Sequence, residues 1–200
     1  MCGRYWLEPE DDAALLRIID QLNRVDPELE VKNGGEIFPG DGVPTLCLSR
    51  AGNVRPFAMA WGYGMPDGRR LINARSETAA EKPMFRDSMR ARRCLLPMSA
   101  YFEWEHRGRE RIKYRISPEA GGLHYLAGLY RFEGGFPVCT VLTTDAAPGI
   151  AFIHNRMPVI LPEEKRDGWL REGALDLENS PPLRAVPCAP GTEQLRIEIT

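Results

Sequence analysis

The sequence has no pair of closely spaced cysteines, no long apolar run, few histidines and almost no net charge. Its five cysteines, Cys2, Cys47, Cys94, Cys139 and Cys188, are scattered without a C-x-x-C pair, which argues against structural zinc or a dithiol redox couple. His106, His124 and His154 include no two at metal-ligand spacing, so neither a metal nor any other cofactor is expected. No apolar stretch approaches the roughly 18 residues needed to span a bilayer. Near the N-terminus stand Glu8, Glu10, Asp11 and Asp12, where a secretory signal is basic and then apolar. A cytoplasmic protein without membrane contact is expected. A formal net charge of −2 gives no global attraction for a polyanion, so any nucleic-acid binding must come from a local patch. Linker-like stretches, repeats and low-complexity tracts are missing too, and residues 1–200 read as one domain.

What is present is ordinary for a globular core: 43% hydrophobic and 27% charged residues. Pro9 with Glu10, Asp11 and Asp12 reads as a helix start, and Leu15, Leu16, Ile18, Ile19 and Leu22 form its apolar stripe. After the Asn33-Gly34-Gly35 and Pro39-Gly40 breaks the pattern turns to short β-like runs. Strands are expected over 43–49, 54–61, 92–96, 101–106, 111–116, 123–132, 136–143 and 157–161. A second helix is expected over 77–93, and a short third one begins at Pro162. Many short strands with few helices give an α+β fold around a curved, largely antiparallel sheet or barrel-like core.

One segment is basic. Between Arg69 and Arg93 eight Arg and Lys side chains stand against Glu77, Glu81 and Asp87, a surplus of five charges that leaves the remainder of the chain at −7. A solvated helix face is the plainer explanation. Cys47, Cys94 and Cys139 lie in apolar runs and read as buried free thiols. Cys2 differs: its position alone fits a second residue tucked against the body of the protein, but it becomes the N-terminal residue once Met1 is removed. The chain then begins with a 1,2-aminothiol, whose amine ordinarily titrates at about 7.7 to 8.0 and whose thiol at about 8.5. Such an amine condenses with an aldehyde to an imine, and the adjacent thiol closes on it to a five-membered thiazolidine. Ring closure is intramolecular, with effective molarities on the order of 10⁵ M or more.

Three polar residues in apolar contexts are candidate partners. Asn73, in Leu71-Ile72-Asn73-Ala74-Arg75-Ser76-Glu77, could donate its amide to a reacting oxygen, or serve as a helix cap or turn residue. Glu103, in Tyr101-Phe102-Glu103-Trp104, suits proton transfer for the amine, unless it faces solvent while Phe102 and Trp104 face the core. His154 could act as acid on a sugar ring oxygen or as base on water, or be a structural histidine, as His106 and His124 read.

The chain resembles the SRAP family, the SOS response-associated peptidase domain that cross-links to abasic sites. The likeness runs through Met1-Cys2-Gly3-Arg4-Tyr5, Ile37-Phe38-Pro39-Gly40, Trp61-Gly62, Ile72 to Thr78, Arg93-Cys94-Leu95-Leu96-Pro97, Tyr101 to Trp104 and His154-Asn155-Arg156-Met157-Pro158. The resemblance implies Cys2 as the covalent nucleophile, Asn73 as a group that orients the adduct, Glu103 as an assistant in imine formation and His154 as the handler of deoxyribose protons. It implies phosphate contacts from Arg4 and Arg75, and base stacking on Pro39 and Trp104. The expected partner is single-stranded DNA containing abasic sites, and the expected state a monomer. Two departures stand out: the Trp-rich insertion that many members carry after Trp-Gly is replaced by Tyr63 to Gly68, and Pro187 to Gly191 lacks the family's Asn-containing ending. A Cys-His hydrolase limited to self-cleavage, or a non-catalytic strand-binding module, are the alternatives.

Overall fold

The computed structural model describes residues 2–8, 13–25, 31–32, 34–175, 177 and 180–189. Pro9 to Asp12, assigned above to a helix start, lie outside them, as do Asn33 and everything from Pro190 onward. In chain order the elements are β1 (Arg4–Leu7), α1 (Ala13–Val25), β2 (Gly35–Ile37), β3 (Gly42–Leu48), β4 (Val54–Trp61), β5 (Tyr63–Gly64), β6 (Arg70–Leu71) and β7 (Asn73–Arg75). Then follow α2 (Ser76–Ala79), α3 (Pro83–Ala91), β8 (Arg93–Met98), β9 (Ala100–Arg107), β10 (Glu110–Pro118), β11 (His124–Glu133) and β12 (Phe136–Asp145). The chain continues with β13 (Arg156–Pro158), β14 (Ile160–Leu161), α4 (Arg166–Glu172) and β15 (Leu183–Pro187).

Strand β12 pairs with β4, β4 with β3, β3 with β8, β8 with β11, and β11 again with β12, so five strands close into a barrel. Closure leaves those strands no unpaired edge. The α+β, barrel-like expectation is met, with parallel pairing at β12–β4 and β12–β7 and antiparallel pairing elsewhere. A second sheet runs β15-β10-β9-β1-β2, all antiparallel. One core cluster draws Tyr5, Tyr101 and Ile116 from this sheet and Met59, Trp61, Leu96 and Val141 from the barrel. Helix α1 adds Leu15 and Ile19, buried at 3% exposure or less, from the stripe read in its sequence.

Two expected elements are interrupted. The helix expected over 77–93 is α2 and α3, because Pro83 occupies the first turn of α3 and holds Lys82 extended at φ −75°, ψ 126°. The strand expected over 157–161 divides at Val159: β13 pairs with β12 and β14 with β11. Between them Val159 donates to Leu142 O at 2.8 Å and accepts from Ala127 N at 2.9 Å. The chain crosses from one barrel strand to the next there.

Candidate active site around Cys2

Asn73 owes its place to the segment just before it. Trp61, fully buried, donates its indole N–H to Ile72 O at 3.1 Å, and Val141 N donates to the same carbonyl at 3.0 Å. Gly62 turns the chain between β4 and β5 at φ 115°, and a Cβ there would meet Arg70 Cβ at 2.9 Å. Only glycine fits both demands. The parallel register Val141↔Asn73 then carries β7 along β12. Asn73 is buried and donates its side-chain amide to Cys2 O at 2.9 Å. Period-two alternation sets Arg75 on the same face of β7, where it is exposed. A cleft of about 950 Å³ is lined by Asn73, Arg75, Lys82 and Arg131.

Cys2 sits just ahead of β1, which is hydrogen-bonded between β2 and β9. It is fully buried, like Cys94 and Cys139, whereas Cys188 is half-buried. Its Sγ lies 3.8 Å from Arg4 O. Burial pushes the thiol up, and the nearby Glu103 carboxylate pushes it further. Glu103 is 5% exposed on β9. Strand alternation puts it with Tyr101 on the core side and Phe102 and Trp104 on the opposite face, which reverses the solvent-facing arrangement weighed for Glu103. Tyr101 is raised by burial first and then by Cys2 and Glu103. Buried polar atoms without a hydrogen-bond partner among the described residues concentrate here: Asn73 Oδ1, Tyr101 Oη and Tyr5 Oη. Each such atom costs about 1–3 kcal/mol, and functional sites are where such costs persist.

His154 lies between Ile153, which packs in the same core cluster as Cys2, and Arg156. Its Nδ1 accepts the Arg156 backbone N–H at 2.9 Å. In the neutral ring the proton therefore sits on Nε2. Arg156 fixes this loop: its guanidinium makes bonds of 2.8 and 2.9 Å to the two Glu77 oxygens, 2.6 Å to Asp145 and 2.8 Å to Thr143 O. Those bonds hold the Glu77 carboxyl below its usual range. Arg156 and Glu77 thus tie the His154 loop to the turn after Asn73. Sequence reasoning quoted both without giving either a role. The signal was an arginine beside His154 in an otherwise apolar β-like run.

Arg4 and Trp104 meet on the outer face of the five-stranded sheet. The Arg4 guanidinium lies 4.8 Å from the Phe38 ring centre and 5.1 Å from that of Trp104, and 3.4 Å from Glu36. Pro39, half-buried, follows Phe38 in the turn where Gly40 N donates to Trp61 O at 2.7 Å. The basic segment is less uniform than its composition. Arg93 donates to carbonyls at the ends of α3 and α4, including Met89 O at 2.7 Å and Trp169 O at 2.8 Å, where a cation satisfies helix-end carbonyls. Arg69 pairs with Asp67.

The profile of the SOS response associated peptidase (SRAP) family matches residues 1–194. The chain belongs to the SRAP family. Abasic site processing protein YobE of Bacillus subtilis is 34% identical over 185 residues, 85% of this chain and 82% of that protein. Abasic site processing protein YedK of Escherichia coli is 28% identical over 200 residues, covering 96% of this chain and 89% of its own. Among solved structures, a protein from Bacteroides thetaiotaomicron superposes with a TM-score of 0.75 at 21% identity, covering 94% of this SRAP chain and 93% of the other, a likeness of fold.

Proposed function

We propose that this SRAP protein processes abasic sites, capturing their aldehyde covalently in single-stranded DNA as a single-domain monomer. After Met1 is removed, the Cys2 amine adds to the aldehyde carbon C1′ of the opened deoxyribose. Loss of one water gives the imine. The Cys2 sulfur then bonds to the same carbon while its proton passes to nitrogen, closing the thiazolidine. The observation that carries this reading is the placement of Cys2: buried, its carbonyl held by Asn73 at 2.9 Å, and Glu103 close enough to act on its thiol.

Glu103 takes the proton the attacking amine must lose and returns it to the departing hydroxyl. Asn73 Oδ1 and Tyr101 Oη, lacking partners among the described residues, take the O4′ hydroxyl freed as the sugar opens and the carbinolamine hydroxyl that forms at C1′. His154, its proton on Nε2, serves the ring oxygen in opening. Arg4 and Arg75 hold phosphates, and Pro39 and Trp104 offer surface to neighbouring bases. An abasic site has no base to read, so affinity rests on backbone and stacking contacts.

Intact mass spectrometry of the purified protein mixed with an abasic oligonucleotide tests this. The expected product has lost Met1 and gained the strand less one water. A protein that leaves the strand unmodified and instead hydrolyses peptides sinks the reading in favour of a Cys-His hydrolase. Reversible binding without a covalent product leaves a strand-binding module.

A further inference from the structure

The outer face of the β15-β10-β9-β1-β2 sheet carries a continuous ladder of aromatic rings and cations that the chemistry at Cys2 does not use. Directly opposed residues of antiparallel strands share a face. The registers Arg4↔Phe102, Lys113↔Trp104, Arg115↔Phe102, Glu36↔Trp6 and Arg115↔Val186 therefore gather their side chains on this side. From Arg4 beside Trp104 the ladder continues to Lys113, whose Nζ lies 5.6 Å from the Trp104 ring centre and 4.2 Å from that of Phe102. Phe102 in turn meets Trp6 edge-on, ring centres 6.3 Å apart.

Beyond Trp6 the face opens into a cavity of about 630 Å³, lined by Trp6, Phe102, Lys113, Arg115 and Arg184 with Glu36. The Trp6 indole N–H is buried without an acceptor among the described residues. Lys113 Nζ is 2.8 Å from Glu36, which holds it against the rings. Among the described residues Arg115 pairs at the surface with Glu8 at 3.0 Å, both side chains more than a third exposed. Arg184 is exposed on β15. The half-buried Trp6 ring with cations at the rim matches a nucleobase with its phosphate.

We infer that this cavity is a second nucleic-acid subsite, which binds nucleotides of the single strand several positions away from the residue held at Cys2. The inference rests on the proposed function for the direction of the path, since Arg4 and Trp104, to which that function gives strand contacts, stand on this same face. A base stacks on the half-buried Trp6, and Arg115 and Arg184 hold the flanking phosphates. Recognition is of backbone and ring face, hence independent of sequence.

The test compares intact oligothymidylate strands of about five and about fifteen nucleotides, within and beyond the reach of one site, by fluorescence anisotropy at several salt concentrations. The full-length protein is expected to gain about tenfold in affinity with the longer strand. Arg115→Ala combined with Arg184→Ala removes that gain and lowers the salt slope for the longer strand by about 1.4, the counterions of two phosphates. Both arginines are at the surface, and an unchanged melting temperature confirms the fold. The same length dependence in wild type and double variant overturns the inference. Failure of the wild type to capture any abasic strand overturns the reading of Cys2 instead, and the two failures are read from separate measurements.

Discussion

Burial and the Glu103 carboxylate both disfavour the Cys2 thiolate, so on the proposed function Cys2 meets the abasic aldehyde as a neutral thiol. The amine therefore attacks first and the sulfur second. Cys2→Ala is expected to abolish the stable cross-link while leaving an imine that borohydride traps; equal yields of stable product from variant and wild type would falsify the division of labour. Glu103→Gln acts on both steps in opposite directions. It removes the proton carrier, so imine formation slows by about 10²-fold. It also removes a charge that raises the Cys2 thiol, so ring closure becomes competent at lower pH. Quenched time courses across a pH series resolve the two, and a variant with slowed capture and an unmoved profile for ring closure rules out the electrostatic coupling. Cys2 was legible as a candidate because it directly follows Met1, and Asn73 and Glu103 because each is a polar group in an apolar setting. That Asn73 reaches the Cys2 carbonyl was not, since the contact spans 71 residues and depends on parallel pairing with β12. Arg156 escaped notice because arginine on a strand is unremarkable until its carboxylate partner, 79 residues away, is located.

Strand β12 is the element on which the site is assembled. It joins β11, β4, β7 and β13, placing Asn73 along one edge and, through the Asp145↔Arg156 register, the His154 loop at its end. The guanidinium fork of Arg156 clamps that end to Glu77. Lysine keeps the charge but not the fork. Arg156→Lys is expected to cost about 2 kcal/mol of stability and to slow capture and release of abasic DNA together, since both need His154 in place. Urea unfolding and exchange of a preformed adduct measure this, and wild-type exchange rates at reduced stability would confine Arg156 to a structural role. The strand expected over 54–61 stands as read, because its termini carry turn residues. β1, β7 and β15 were missed. They have five residues or fewer and take their strand geometry from neighbours rather than from alternation of their own. The break between α2 and α3 was written in Pro83, yet the continuing charge pattern on either side concealed it.

With charges so nearly balanced, recognition of DNA by the protein has to be local, and local phosphate contacts have a measurable signature. Arg4→Ala and Arg75→Ala are each expected to weaken binding to single strands of any sequence and to lower the salt slope by about 0.7; a variant with unchanged affinity and slope marks that arginine as structural. Stability should depend on alkaline pH. Burial raises Cys2, Cys94 and Cys139 and lifts Cys47 to about 12 from an ordinary value near 9. The folded chain then holds thiol protons that the unfolded chain releases. Stability is complete below about pH 8 and falls as pH rises through 9, by up to about 1.4 kcal/mol per unit for each thiol. Urea midpoints between about pH 7 and pH 10.5 report the decline, and a flat series contradicts the burial of these thiols as protonated groups.

The order of assembly has a consequence in time. Cys2 is synthesised well before its partners are complete: Asn73 is held by a strand that reaches Val141, and the His154 loop is clamped only once Arg156 exists. If Met1, whose removal the proposed function requires, is cut away during synthesis, the nascent chain carries an uncovered aminothiol for on the order of ten seconds at roughly 5–20 residues per second. Any small aldehyde in the surrounding fluid competes for it during that interval. On the proposed function, closure of β12 against β4 and β7 ends that exposure and buries Cys2 before it meets an abasic strand.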